Sequence, residues 1–268
     1  MGFFTDKVVV VTGGTEGIGR AFVDALIKAG AKVATCSRNY DKLYALQMKY
    51  SQQYLMIHRA DLGYEADCKR LIELTIKTYG HIDVLINNAG ISMRAMFEDL
   101  ELETLRKVMD VNFWAAVACT KYALPYLKQS NGIIVGMSSI AGFRGLPGRT
   151  GYSASKFALN GWMEALRTEL LESGVHVMWA CPGFTTSNIR NVALNKDARP
   201  EAESLMNEGK MMSAEECVAL ILKAIEKKKR TLIMTFQGKE TVWLNKLFPA
   251  WADRLVRKFY FKDNILIK

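Results

Sequence analysis

The chain has 268 residues, half of them hydrophobic and 24% charged, with 36 Lys and Arg against 27 Asp and Glu. A chain of this length buries roughly three quarters of its unfolded surface without disulfide or metal staples, and the composition excludes disorder. The formal net charge of +9 is the one unusual figure, and nucleic acid, an acidic membrane surface or an anionic ligand would each account for it.

In chain order, short apolar runs alternate with helical spacing. Lys7 to Thr12 (KVVVVT) predicts a buried strand. Gly17 to Ala29 predicts a helix on Ile18, Phe22 and Leu26, stopped at Gly30. Lys32 to Cys36 is a strand, Asp41 to Tyr50 a helix capped by Asp41, and Leu55 to Arg59 a strand. A helix follows over Glu65 to Tyr79, then a strand over Asp83 to Asn87. One long helix is expected from Leu102 to Lys128, bent near Pro125. Gly132 to Met137 is a strand, Thr150 to Glu172 a helix stopped by Gly174, and Val175 to Cys181 a strand. Ala214 to Lys229 is the next helix, and Thr231 to Met234 a seventh strand. This alternation predicts an α/β fold: one doubly wound domain over residues 1–235 with a seven-stranded parallel sheet. Residues 188–213 form a lid, and residues 236–268 a short helical extension.

Cys36, Cys68, Cys119, Cys181 and Cys217 lie far apart, with no metal-ligand spacing, so five buried thiols and no metal site are expected. The opening MGFFTDKVVVV lacks the profile of a secretory leader, and no apolar run reaches about 18 residues. A cytoplasmic chain is expected, with peripheral membrane contact open to its C-terminus.

The segment TGGTEGIG, Thr12 to Gly19, joins the first strand to the first helix. Gly13, Gly17 and Gly19 let backbone approach a pyrophosphate seated on the helix N-terminus. A P-loop lysine is absent, which argues against phosphoryl transfer. Ser37 and Arg38 stand about 20 residues on, where an acidic residue would select NAD by its ribose hydroxyl. Arg38 instead suits a 2′-phosphate, so NADP(H) is expected over NAD(H), with Glu16 in the loop as the discordant residue.

Tyr152 and Lys156 stand four apart on one helix face. Ser138 and Ser139 end the preceding strand, at the sheet edge where doubly wound folds bind ligands. Ser139 and Tyr152 can therefore meet over a cofactor.

Taken together, these segments resemble the short-chain dehydrogenase/reductases over about residues 5 to 235. TGGTEGIG is similar to their cofactor loop, with Gly13, Thr15, Gly17, Ile18 and Gly19 as contacts. Asp61 and Leu62 resemble their adenine contact. Asn87-Asn88-Ala89-Gly90 matches their NNAG motif, Asn112 their tetrad Asn, YSASK (Tyr152 to Lys156) their YxxxK, and Pro182-Gly183 the PG wall of the nicotinamide. Ser139 stands 13 residues before Tyr152, as in the family. The resemblance is greatest to steroid- and lipid-ketone reductases. It implies Tyr152 as general acid/base, Lys156 lowering its pKa and holding the ribose, Ser139 donating to the substrate oxygen, and Asn112 positioning a relay water. Thr185 and Ser187 follow the PG motif as further cofactor contacts. A homodimer or homotetramer through the two long helices is implied as well.

The loops after the fourth, fifth and sixth strands carry Ile91, Met93, Phe143, Leu146, Phe184 and Ile189. The lid adds Leu205, Met206, Met211 and Met212. If these line a pocket, the substrate is a bulky apolar carbonyl compound such as a steroid, a 3-keto lipid or a hydrophobic ketone. Arg94, Arg144 and Arg190 in the same loops are candidates to meet an anionic group. The alternative function is a non-catalytic NADP-binding, membrane-associated or regulatory module.

Residues 236–268 hold seven basic, three acidic and seven aromatic residues, and Lys223 to Arg230 adds five basic against one acidic. Nearly all of the +9 is therefore C-terminal, which argues against a nucleic-acid footprint spread over the fold. Leu244, Leu247, Trp251, Leu255 and Phe259 recur at helical steps, with a break expected at Pro249. A membrane-lying helix, a subunit contact and a cover over the substrate site all produce that stripe.

Overall fold

A computed structural model describes residues 2–186, 189, 192–199, 211–263 and 265–267. Seven strands form one parallel sheet: β1 (Val8–Thr12), β2 (Lys32–Ser37), β3 (Leu55–Arg59), β4 (Val84–Asn87), β5 (Ile133–Met137), β6 (His176–Cys181) and β7 (Thr231–Ile233), in the order β3-β2-β1-β4-β5-β6-β7. Val9 of β1 pairs with Val33 on one side and Val84 on the other. The β1 run VVVVT is fully buried, as a central strand covered on both faces must be.

Strand alternation divides the core into two layers. Val10, Leu85, Ile134 and Val177 face α3 (Glu65–Tyr79), α5 (Ala115–Gln129) and α6 (Thr150–Glu169). Val9, Val11, Ile86, Val135 and Met178 face α1 (Gly17–Lys28), α2 (Tyr40–Lys49) and α7 (Ala214–Glu226). A period of two on each strand thus becomes a helix layer on each face.

Several boundaries differ from the expectation. Helix α2 is capped by Asn39, whose side chain accepts from the Lys42 N–H at 3.0 Å; Asp41 lies in the first turn, where its charge suits the helix dipole. The expected long helix is α4 (Leu102–Met109), a π-helical turn at Asp110–Trp114, and α5. Its irregularity lies at this turn, and Pro125 sits within α5. Helix α6 ends at Glu169, then a 3-10 turn at Leu171–Ser173 leads to Gly174 in the left-handed conformation. All five cysteines are buried and unpaired.

The extension forms two helices, α8 (Phe236–Leu247) and α9 (Pro249–Tyr260), then a short antiparallel pair of β8 (Phe261–Lys262) and β9 (Ile265–Leu266). Pro249 starts α9, where its missing N–H costs nothing, and Phe248 makes the corner. No helix among the described residues is long and apolar enough to cross a membrane. The basic run Lys227 to Arg230 is exposed and precedes β7, at the amino ends of the strands.

Candidate active site

Strand order reverses at β1, which has β2 on one side and β4 on the other, so a crevice opens at its carboxyl end. A cavity of about 1280 Å³ fills that crevice. Gly13, Thr15, Gly17, Ile18, Gly19, Ser37, Arg38, Asp61, Leu62, Asn88, Ala89, Gly90, Pro182, Gly183 and Thr185, all expected from sequence at the cofactor, line it, and so do Ser139, Tyr152 and Lys156.

The glycine loop forms one wall. Gly13 and Gly17 have φ of +70° and +50°, the left-handed region that favours glycine. A Cβ on Gly19 would stand 2.1 Å from the Gly13 carbonyl oxygen and 2.6 Å from Asn88 Nδ2. Asn88 Nδ2 donates to the carbonyls of Thr12 (2.9 Å) and Gly13 (3.3 Å). Thr12 Oγ1 accepts from the N–H groups of Asn88 and Ala89, both at 2.9 Å. Asn88 thereby clamps the loop to the end of β4. Thr12 is a positioning residue that sequence reasoning passed over; a hydroxyl directly before the two glycines was the available signal. No side chain caps the start of α1, which leaves its first N–H groups available to an anion.

At the far end, Thr15 Oγ1 donates to Ser37 Oγ at 3.1 Å. Arg38 is exposed, and its carbonyl accepts from Arg59 Nε at 3.3 Å, so a second guanidinium stands beside it. The Glu16 carboxylate is ion-paired with Lys42. Asp61 Oδ1 accepts from the Gly63 N–H at 3.0 Å, which turns the chain over the cavity.

The opposite end is built by β5 and α6. Ser138 is buried and donates to Asn160 Oδ1 at 2.6 Å, so it supports the loop. Ser139 is half-buried, lines the cavity and accepts from the Ala141 N–H at 3.1 Å. Lys156 Nζ lies 5.7 Å from the Tyr152 ring centre and donates to the Met137 carbonyl at 2.8 Å. Lys156 is 4% exposed and has no carboxylate partner among the described residues. Burial pulls its pKa down to about 8, a shift that the nearby Cys181 partly opposes. Burial also pushes the Cys181 thiol up to about 12.

Of the four residues expected to be catalytic, Asn112 does not line the cavity. It is 2% exposed, inside the π turn. Its Oδ1 accepts from the Ile91 N–H at 2.7 Å, and Nδ2 donates to the Ile91 carbonyl (2.9 Å) and Ser155 Oγ (3.0 Å). Both amide protons are used, so its side chain holds the segment after β4 against α6. A Cβ on Gly90 would stand 3.2 Å from Asn112 Oδ1 and 3.6 Å from Lys156 Nζ, so a side chain there would crowd the Asn112 amide.

The remaining wall is apolar. Ile91, Leu146, Phe184, Ile189 and Met212 line it as expected. Met93 is instead fully buried in a separate small core, and Phe143 packs against the sheet. Arg94 does not reach the cavity. Ser187, Arg190, Leu205 and Met206 lie outside the described residues. Ser92, which sequence reasoning missed, lines the cavity with a buried hydroxyl that has no hydrogen-bond partner.

Of the three readings open for the extension, the structure places it as a cover over the cavity. Trp243, Leu244, Trp251, Leu255, Val256, Phe259 and Tyr260 line the cavity, so α8 and α9 cover it. Gly238 permits the approach, because a Cβ there would stand 2.7 Å from Ile140 Cδ1 in the loop after Ser139. Arg144 from the same loop donates to Asn245 Oδ1 at 2.8 Å and to Asp253 Oδ1 at 2.5 Å. Asn245 Nδ2 donates back to the Phe143 carbonyl at 2.9 Å. The loop that carries Ser139 is thus bonded to both helices of the cover.

This is the architecture of the doubly wound nucleotide-binding folds. The short chain dehydrogenase profile matches residues 7–198, and the chain belongs to the short-chain dehydrogenase/reductase family of oxidoreductases. It is 33% identical over 265 residues to the mouse (Mus musculus) dehydrogenase/reductase SDR family member 7B, covering 95% of this chain and 81% of that one. It is 34% identical over 267 residues to 11-beta-hydroxysteroid dehydrogenase 1A of Arabidopsis thaliana, covering 93% and 75%. A short chain dehydrogenase/reductase from Burkholderia phymatum, solved in complex with NAD, superposes with a TM-score of 0.83 at 22% identity, covering 94% and 96%.

Proposed function

We propose that this chain is an NADP(H)-dependent oxidoreductase that interconverts a ketone and a secondary alcohol on a bulky apolar substrate. The observation that carries this reading is one cavity joining the glycine loop, Ser139, Tyr152 and buried Lys156 to an apolar cover. The cradle fits a nicotinamide dinucleotide: Gly14 and Gly19 of the loop have no room for a Cβ, the α1 N–H groups are uncapped, and Ser92 offers an unpartnered hydroxyl.

Gly13, Thr15, Gly17, Ile18 and Gly19 would hold the pyrophosphate side, and Pro182, Gly183 and Thr185 the nicotinamide side. Arg38, with Arg59 beside it, would face a 2′-phosphate, and pairing to Lys42 offsets the Glu16 charge that would repel one. When bound, the nicotinamide supplies or accepts the hydride.

The chain's own residues handle orientation and the proton. Ser139 Oγ donates to the substrate oxygen, where negative charge builds during reduction. Tyr152 exchanges the proton with that oxygen through its phenol. At neutral pH, Lys156 with a pKa near 8 remains mostly protonated, and its charge favours the phenolate. Asn112 keeps this geometry by tying Ile91 to Ser155. The apolar cover excludes water, which strengthens each of these interactions.

The test is NADPH absorbance against a panel of steroids, keto-lipids and hydrophobic ketones. Oxidation with at least one is expected. Tight NADPH binding with no oxidation across the panel would overturn the reading in favour of a binding module.

A further inference from the structure

Arg149 occupies a position that local stability does not explain. It is the N-cap residue of α6, three residues before Tyr152, and its side chain makes no capping bond. Caps favour Ser, Thr, Asp or Asn, and a cation is disfavoured at the positive end of the helix dipole. Where a local rule is broken, the reason is often a functional site.

Arg149 lines the cavity. Its Nε is buried without a hydrogen-bond partner. No carboxylate among the described residues lies within 4.0 Å of its guanidinium. The other cations on the cavity are accounted for: Arg144 is bonded to Asp253 and Asn245, Lys156 to the Met137 carbonyl, and Arg38 stands at the glycine-loop end. Glu240 also lines the cavity, but it is exposed and makes no ion pair with Arg149. The neighbour Arg149 does act on is Tyr260 of α9, 5% exposed, whose phenol burial pushes up and the Arg149 charge pulls down. Arg149 therefore stands between the start of the Tyr152 helix and the apolar cover.

A partly buried guanidinium with no carboxylate beside it among the described residues, on a largely apolar cavity, would gain from a counter-charge. We infer that the substrate brings it: Arg149 selects an apolar ketone that also carries an anionic group, a carboxylate or a phosphate monoester. The guanidinium fork matches either anion in bidentate fashion. Arg149 and Tyr152 line the same cavity three residues apart in the chain, so the anion would lie at the Tyr152 end of the pocket. This inference rests on the reading that Ser139 and Tyr152 hold the carbonyl, and it narrows the substrate class from apolar to amphipathic.

The test is calorimetric, on the full chain loaded with NADP⁺. Decanoate, decyl phosphate and decanol share a tail and differ in head group. Wild type is expected to bind at least one of the two anions tenfold or more tighter than decanol, and the tighter of the two identifies the head group. Arg149→Gln is expected to erase that ratio, and Arg149→Lys to keep part of it. The readout is a ratio within each variant, so a general weakening cancels, and the Lys variant serves if the Gln variant folds poorly. Wild-type anions binding no tighter than decanol would overturn the inference, as would a ratio preserved in Arg149→Gln. No turnover is needed, so a chain that shows the ratio yet oxidises no NADPH defeats the reductase reading alone.

Discussion

The Arg144 guanidinium meets the Asp253 carboxylate at 2.5 Å across 109 residues of sequence, tying the loop after Ser139 to the last helix. Asp253 is 68% exposed, so this ion pair is worth at most about 1 kcal/mol. The more sheltered bonds through Asn245 and the apolar faces of α8 and α9 hold the rest of the cover. We expect Arg144→Ala to raise the KM of a bulky ketone by roughly fivefold to tenfold, about 1 kcal/mol of binding, and Asp253→Ala by under about threefold. Steady-state kinetics decides it, and equal effects of the two substitutions would show that the Arg144 bond to Asn245 adds nothing to the cover.

Tyr152→Phe removes a single hydroxyl from the cavity. Loss of a general acid/base costs roughly a hundredfold to ten-thousandfold in turnover. NADPH binding, followed by fluorescence, is expected to stay within about threefold. A Phe variant retaining more than a tenth of wild-type kcat would remove Tyr152 from the proton step.

Lys156 gives a pH-dependent stability of definite sign. Its folded pKa of about 8 lies below the ordinary 10.5. Below pH 8 both states carry the proton, and the cost of burying the charge is present in full. Between these values the unfolded chain binds more protons, so the contribution of this site to stability rises with pH. Lys156→Met should therefore exceed wild type in stability at pH 7 by about 2 kcal/mol, allowing for the lost bond to Met137. That advantage should shrink as pH approaches 10.5. The buried thiols of Cys36 and Cys217, pushed up to about 12 and 11, act in the opposite sense in both proteins and cancel in the difference, whereas Cys181 interacts with Lys156 and does not cancel, so the comparison is read below pH 9. Urea unfolding between pH 6 and 9 measures it, and a pH-independent difference contradicts the burial argument.

Arg38→Ala bears on cofactor choice. Arg38 is exposed, so its attraction for a phosphate is screened by salt. The variant should raise the NADPH KM about tenfold and leave that of NADH within about twofold, with the NADPH effect largest at low ionic strength. Equal effects on both cofactors would reject the 2′-phosphate role.

Much of the site was legible because its signals are local. The Tyr152 and Lys156 spacing needs only a helix, and the glycine loop needs only a strand before it and a helix after it. Ser138 and Ser139 were separable by spacing, and the bond from Ser138 to Asn160 agrees with a supporting role. Asn112 was found by motif, yet its bonds to Ile91 and Ser155 join segments 21 and 43 residues away, which spacing does not report. Arg149 was passed over because a lone arginine before a helix looks like a solvated residue until its neighbours are known.

By itself the sequence determined the alternation of strands and helices, the parallel doubly wound sheet and the residues gathered at its carboxyl edge. Those follow from hydrophobic period, glycine geometry and short-range spacing, which act within a few residues. Tertiary structure decided that the basic aromatic C-terminus covers the cavity, that Arg144 is committed to Asn245 and Asp253, and that Arg149 has no carboxylate beside it among the described residues. An amphipathic stripe states only that one face must be buried; what buries it depends on where the folded chain brings that face.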